Sequence, residues 1–315
     1  MNLPDVSMVP AYGGMFRPPP RRRVPVATII LVAVLVALAI QFGMRRWHQR
    51  LPPGAVFRTL AFAGEERSYV LYAHGHPTKP ALVVMLHGLG GNGAAIERRV
   101  RFDAIADREP LVVVYPNAMN ATWNDGWGGH SSEPDDVGFL TAVIDSVSNE
   151  YGVDAARVYV AGMSNGAGMA YRLGCERPEK IAGVAAVAGG MADVVAAKCA
   201  TGRAIRLLAI HGTEDPVIAY GGWLQQNIAH WVKRNGCASG PERSELPDLD
   251  PNDGTRTKVE RYSACSGGED VMLYTVVGGG HAWPLREGDG AMGSRGRTAH
   301  DFDGATAIWT FFSGR

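Results

Sequence analysis

Charge of one sign is what this sequence lacks: its 315 residues carry 31 Lys and Arg against 31 Asp and Glu, a formal net charge of +0. Beyond residue 50 no run of Lys or Arg makes a basic stripe, which argues against nucleic acid as a partner. Cysteine is scarce as well. Cys175, Cys199, Cys237 and Cys265 form no C-x-x-C pair and have no interleaved His ligands, so a zinc site is not expected. The glycine-rich stretch Gly88-Leu-Gly-Gly-Asn-Gly93 is not closed by Gly-Lys-Ser/Thr, which removes a phosphate loop. Asp248-Leu-Asp-Pro-Asn-Asp-Gly254 approaches a calcium loop, but its glycine comes one position late and no Glu stands at the twelfth place. It reads as a solvated turn, and no metal is expected. There is no internal repeat.

Long apolar runs are missing too, with one exception. After the Pro/Arg-rich stretch Arg17-Pro-Pro-Pro-Arg-Arg-Arg23, the chain is almost uninterruptedly apolar from Val24 to Phe42, and basic residues return at Arg45, Arg46 and Arg50. A helix of about 19 residues rises roughly 28 Å, close to the hydrocarbon thickness of a bilayer. The expectation is a basic cytoplasmic leader over 1–23, a transmembrane signal anchor over 24–43 and a linker over 44–56. The alternative is a signal peptide cleaved at Ala37-Leu-Ala39. In either case residues 57–315 are exported, and in an oxidising compartment the cysteines are expected to pair as neighbours, Cys175 with Cys199 and Cys237 with Cys265, although three connectivities exist and buried free thiols are the other possibility.

From Phe57 onward, short β-branched runs alternate with helical spacing. The predicted strands are Ser68–Ala73, Ala81–Leu86, Leu111–Tyr115, Val158–Ala161, Val184–Ala188, Leu207–Ile210 and Val271–Val277. The predicted helices are Val137–Tyr151, Gly166–Cys175, Leu224–Arg234 and Gly304–Phe312, and 238–258 reads as a long loop or a small excursion from the core. Such alternation predicts an α/β domain around a mostly parallel sheet with helices on both faces.

One motif carries chemistry. A β-rich run enters Gly162-x-Ser164-x-Gly166 and leaves into a helical pattern, the strand–turn–helix context of a nucleophile elbow in an α/β-hydrolase. A serine hydroxyl needs a base and an orienting acid, which in this fold follow in the order acid, then His. Asp215, in His211-Gly-Thr-Glu-Asp215-Pro after a strand, is the expected acid, with Glu214 its local rival. His281, after the last predicted strand and three glycines, is the expected base, while His87 and His211 open His-Gly steps suited to structural hydrogen bonding. Two backbone N–H groups should hold the oxyanion: that of Asn165, which follows the serine, and that of Leu89 in His87-Gly-Leu-Gly-Gly. Trp123, Trp127 and Trp283 are candidates to form an apolar wall for the substrate.

With these residues assembled, the chain resembles the polyhydroxybutyrate depolymerase and feruloyl esterase family of secreted α/β-hydrolases. The resemblance runs from about Arg67 to Phe312 through His87-Gly-x-Gly-Gly, Tyr115-Pro-Asn, Asp136-Val-Gly-Phe139, Gly162-Met-Ser-Asn-Gly166, His211-Gly-Thr-x-Asp215 and Gly279-Gly-His281-x-Trp-Pro284. It implies secretion, hydrolysis of carboxylic esters without a cofactor, and triad roles for Ser164, Asp215 and His281. Soluble esters or oligomers are expected as substrates rather than solid polymer, since no separate binding module follows in the sequence. An envelope acyltransferase with the same triad and a silent membrane-anchored binding protein are the alternatives.

Overall fold

In a computed structural model of the chain, the described residues are 51–128, 134–199, 202–285 and 295–314. The expected leader over 1–23, anchor over 24–43 and most of the linker lie outside them. Among the described residues no helix is long and apolar enough to cross a membrane.

The strands are β1 (Val56–Phe62), β2 (Glu65–Ala73), β3 (Ala81–Leu86), β4 (Leu111–Pro116), β5 (Val158–Met163), β6 (Gly183–Val187), β7 (Arg206–Gly212), β8 (Ser239–Glu245), β9 (Arg256–Ser263) and β10 (Val271–Val277). They form one sheet in the order β1-β2-β4-β3-β5-β6-β7-β10-β9-β8. From β4 to β10 the neighbours are parallel, and each edge is finished by antiparallel pairs.

The helices are α1 (Gly93–Val100), α2 (Asp103–Ala106), α3 (Asp136–Tyr151), α4 (Asn165–Glu176), α5 (Asp193–Lys198), α6 (Gly222–Arg234) and α7 (Gly304–Ser313). They cover both faces of the sheet. Because side chains alternate along a strand, Leu82, Val84 and Leu86 of β3 join a core with Phe139 and Val143 of α3, Ala170 of α4 and Trp231 of α6. Ala81, Val83 and Met85 point the other way, into a core with Ile96 of α1, Ile105 of α2 and Ile308 and Phe312 of α7. Burial on two sides is why β3, β4 and β5 are apolar at nearly every position.

The seven predicted strands and four predicted helices are all present. Residues 238–258 require correction: the first part of the expected loop is β8, which pairs with β9 from Ser239↔Ser263 to Glu245↔Lys258. Two disulfides join Cys175 to Cys199 and Cys237 to Cys265. The first ties the last turn of α4 to the residue after α5, and the second ties the exit of α6 to the loop after β9.

Candidate active site

Parallel strands deliver their C-terminal ends to one edge of the sheet, and the loops there carry the candidate residues. At the end of β5 the chain reverses into α4 within one residue, Ser164, whose φ of 58° and ψ of −124° lie in a region L-residues rarely adopt. The flanking glycines have a measurable reason. A Cβ on Gly162 would lie 2.2 Å from the Gly166 carbonyl oxygen, and one on Gly166 would lie 2.5 Å from both the Leu86 and His87 carbonyl oxygens. Ser164 is half-buried. Its backbone N–H donates to Val187 O at 2.9 Å, and its carbonyl accepts from Ala167 N at 2.9 Å and Gly168 N at 3.2 Å, so the serine sits at the positive end of α4.

Asp215 follows β7 and His281 follows β10, and these strands are parallel neighbours. His281 Nδ1 lies 2.8 Å from Asp215 Oδ2. An ionised carboxylate only accepts, so Nδ1 carries the proton and Nε2 offers its lone pair. The other carboxylate oxygen of Asp215 accepts from Val217 N and Ile218 N, each at 2.8 Å. Burial raises the Asp215 pKa, but the bonds from His281, Ile218 and Val217 outweigh it and hold the carboxyl below its ordinary value. The rival Glu214 turns outward, where it pairs with Arg297 at 2.9 Å on the surface. The His281 loop is fixed by a strap: His281 N donates to Arg295 O at 2.7 Å, and Gly280 N to Arg297 O at 2.8 Å.

The turn after β3 approaches the serine from the other side. A Cβ on Gly88 would lie 3.3 Å from Ser164 Cβ and 3.9 Å from its Oγ. His87 governs this turn. Its Nε2 accepts from Ala118 N at 3.1 Å, which leaves the proton on Nδ1 to donate to Gly88 O at 2.8 Å. Burial lowers the His87 pKa to about 4 and keeps the ring neutral. Gly88 O also accepts from Gly91 N at 3.0 Å. In a trans peptide the N–H points opposite the carbonyl, so two donors on Gly88 O set the direction of the Leu89 N–H. The Leu89 side chain is 71% exposed.

Of the three tryptophans, Trp123 and Trp283 are buried, and Trp127 is 65% exposed. Trp123 packs on His87 with ring centroids 5.1 Å apart and donates from Nε1 to His87 O at 2.9 Å. Asn165, the first residue of α4, directs its side chain to Trp123 and Asp125. The acidic turn after β8 brings Asp250, Asp253 and His300 together. There Asp250 accepts from Asn252 N and lies 2.9 Å from His300 Nδ1, while Asp253 accepts from Thr255 N and His300 N.

Sequence reasoning gave His211 only an unspecified structural hydrogen bond and passed over Trp223, Gly189 and Gly190. His211 Nε2 lies 2.8 Å from Ile218 O and 3.6 Å from Asp215 Oδ2, so it braces the turn that holds the acid. Trp223 meets His211 edge-on at 5.2 Å. Gly189 and Gly190, just after β6, pack against Ser164 O and Trp223. A paired glycine at a strand's C-terminal end was the available signal.

A mostly parallel sheet with antiparallel edges, a strained serine between β5 and α4, and a buried His–Asp pair past β7 and β10 define an α/β-hydrolase. Residues 67–220 match the family described as Esterase PHB depolymerase. The putative esterase NocK of Nocardia uniformis subsp. tsuyamanensis is 32% identical over 253 residues, 72% of this chain and 73% of that protein. Feruloyl esterase C of Emericella nidulans is 32% identical, covering 75% of this chain and 79% of its own. Feruloyl esterase B of Piromyces equi is 30% identical, and the matched region spans 40% of its length. Among solved structures, the acetyl xylan esterase from Aspergillus awamori shares the fold with a TM-score of 0.57 at 16% identity, covering 73% of this chain and 95% of that one. The chain belongs to the polyhydroxybutyrate depolymerase and feruloyl esterase family, and it is a carboxylic-ester hydrolase.

Proposed function

We propose that this esterase works through Ser164, His281 and Asp215 by way of an acyl-enzyme. The observation that carries the reading is the 2.8 Å bond between His281 Nδ1 and Asp215 Oδ2, at the sheet edge where Ser164 is held in its strained turn. Ser164 Oγ attacks the ester carbonyl while His281 Nε2 takes its proton, and Asp215 stabilises the imidazolium that forms. The oxyanion is held by the Leu89 and Asn165 amides, the second of these at the N-terminus of α4, where the helix dipole favours negative charge. His281 returns the proton to the departing alcohol. Water, activated by the same imidazole, then releases the acid.

The substrates are soluble esters or oligomers of feruloyl or hydroxyalkanoate type, in keeping with the names of the feruloyl esterase relatives and the description of the matched family. Trp127 is the candidate substrate contact that stands open to solvent. Residues 57–315 form the catalytic domain, exported and held at the membrane by residues 24–43. Two disulfides among the described residues suit an oxidising compartment.

The test is hydrolysis by the full-length chain of a panel of short-chain nitrophenyl esters, methyl ferulate and a hydroxybutyrate oligomer, alongside Ser164→Ala. The substitution is expected to abolish turnover, and the panel ranking separates the feruloyl from the hydroxyalkanoate reading. An alanine variant as active as the parent contradicts the mechanism.

A further inference from the structure

Asn165 has a second use. Its backbone N–H is assigned to the oxyanion, but its side chain is fully engaged elsewhere: Oδ1 accepts from Trp123 N at 2.8 Å, and Nδ2 donates to Trp123 O at 3.0 Å and Asp125 Oδ2 at 2.7 Å. Both amide hydrogens are used, and only this orientation of the amide satisfies all three partners. The buried Asp125 carboxylate passes the constraint on, since its Oδ1 accepts from Trp127 N at 3.2 Å.

The intervening residue is anchored as well, with Asn124 O accepting from Arg172 of α4 at 2.7 Å and Asn124 N donating to Asp136 of α3 at 2.9 Å. Gly126, at φ +94°, then passes so close to α5 that a Cβ would lie 2.8 Å from Val195 Cγ2 and 3.2 Å from Val194 Cγ2. From this anchored loop Trp127 emerges exposed, and Val194, which the loop touches, is exposed with it. A single exposed apolar residue needs no explanation. A tryptophan at the end of a loop tied by side-chain bonds to the residue after the candidate nucleophile does call for one, because an indole left in water has a large apolar surface to offer a ligand.

We propose that the Asn165 side chain is a positioning residue that hangs the 123–127 loop from the nucleophile turn, so that Trp127 with Val194 forms a fixed apolar wall for the acyl group and selects esters of bulky, planar acids over acetates. This rests on Ser164 being the nucleophile. One residue then sets two things at once: its main chain locates the carbonyl oxygen, and its side chain locates the surface against which the rest of the acyl group lies. A wall held at a constant offset from the reacting carbon turns acyl shape into rate, because small displacements from a productive pose cost much of the rate.

The experiment compares nitrophenyl benzoate with nitrophenyl acetate, which share a leaving group and differ only in acyl group, on the full-length chain and its Trp127→Ala, Asn165→Ala, doubly substituted and Ser164→Ala forms. Trp127→Ala is expected to lower the benzoate-to-acetate ratio of kcat/KM about tenfold, the scale at which an apolar pocket discriminates. The loss should fall largely on KM for benzoate. Asn165→Ala should lower the same ratio, and the double variant should lower it no further than Trp127→Ala alone, since both act through one wall. An unchanged ratio in Trp127→Ala overturns the proposal, whether or not Asn165→Ala folds. Ratio losses that simply add in the double variant, or an Asn165→Ala form that slows both esters equally, overturn the positioning role. Activity surviving in Ser164→Ala instead contradicts the underlying mechanism, a result distinct from either.

Discussion

At the scale of single residues, the candidate site depends on which nitrogen of each histidine carries a proton. Asp215 accepts three hydrogen bonds, from His281, Val217 and Ile218, and can therefore orient the imidazole only while ionised. Its pKa is held below the unfolded value of about 3.8. The stability it contributes is accordingly present above that value and lost as pH falls through the lower folded one. Asp215→Asn keeps the size of the side chain but places either an amide donor or a weaker acceptor against His281 Nδ1, favouring the wrong tautomer. On the proposed mechanism kcat falls roughly 10³–10⁴-fold with KM little changed, as steady-state kinetics on a nitrophenyl ester would show. That Ser164, Asp215 and His281 come to one edge of the sheet was legible because each lies just past the end of a predicted strand. The service of His87 and His211 was legible only as hydrogen bonding of unspecified kind, since their partners, Ala118 and Ile218, are set by where loops return in space. Trp123 and Trp127 look alike in sequence; burial separates them.

Among elements, legibility followed burial. The strands β3 and β10 have the bounds expected from their apolar runs. The edge strands do not announce themselves: β8 reads Ser-Gly-Pro-Glu-Arg-Ser-Glu and is exposed along almost all its length, so it exists through its backbone pairing with β9 and carries no hydrophobic period. β1 was missed for a similar reason, lying at the opposite edge with only alternate positions half-buried. The short helix α1 was hidden by the glycines before it. Its start is fixed by Asn92, whose side chain accepts from Ala95 N at 2.9 Å. Asn92→Ala removes that cap and should cost about 1 kcal/mol of stability, measurable as a lower midpoint in denaturant at unchanged slope. An unchanged midpoint would mean that the turn after β3 is held by His87 and Gly91 alone.

For the whole molecule, two buried groups of opposite kind tilt stability with pH. His87 is kept neutral by burial, with its pKa lowered to about 4, so its contribution is complete above its unfolded value of 6.5 and lost as pH falls toward 4. Glu97, in α1, is 1% exposed. Burial first, and then the Asp103 carboxylate, raise its pKa to about 8. The folded chain therefore favours protonated Glu97, and that contribution is complete below the unfolded value of 4.5 and lost as pH rises through 8. Glu97→Gln, which mimics the protonated acid, should stabilise the protein relative to the parent at pH 9 and much less at pH 5, as thermal unfolding at the two pH values would reveal. An equal effect at both would mean that Glu97 stays charged throughout. Such a group has no sequence signature, because its neighbour Asp103 comes from α2, across the turn at Arg101.

The central claim is that Ser164 is the nucleophile, and the most direct measurement is covalent labelling of the full-length chain with a fluorophosphonate, followed by mass spectrometry of the peptides. The expected result is a single adduct on Ser164, formed in step with loss of esterase activity, absent in Ser164→Ala and slowed in Asp215→Asn. An adduct on another residue, or esterase activity that persists when Ser164 is fully labelled, would contradict the account.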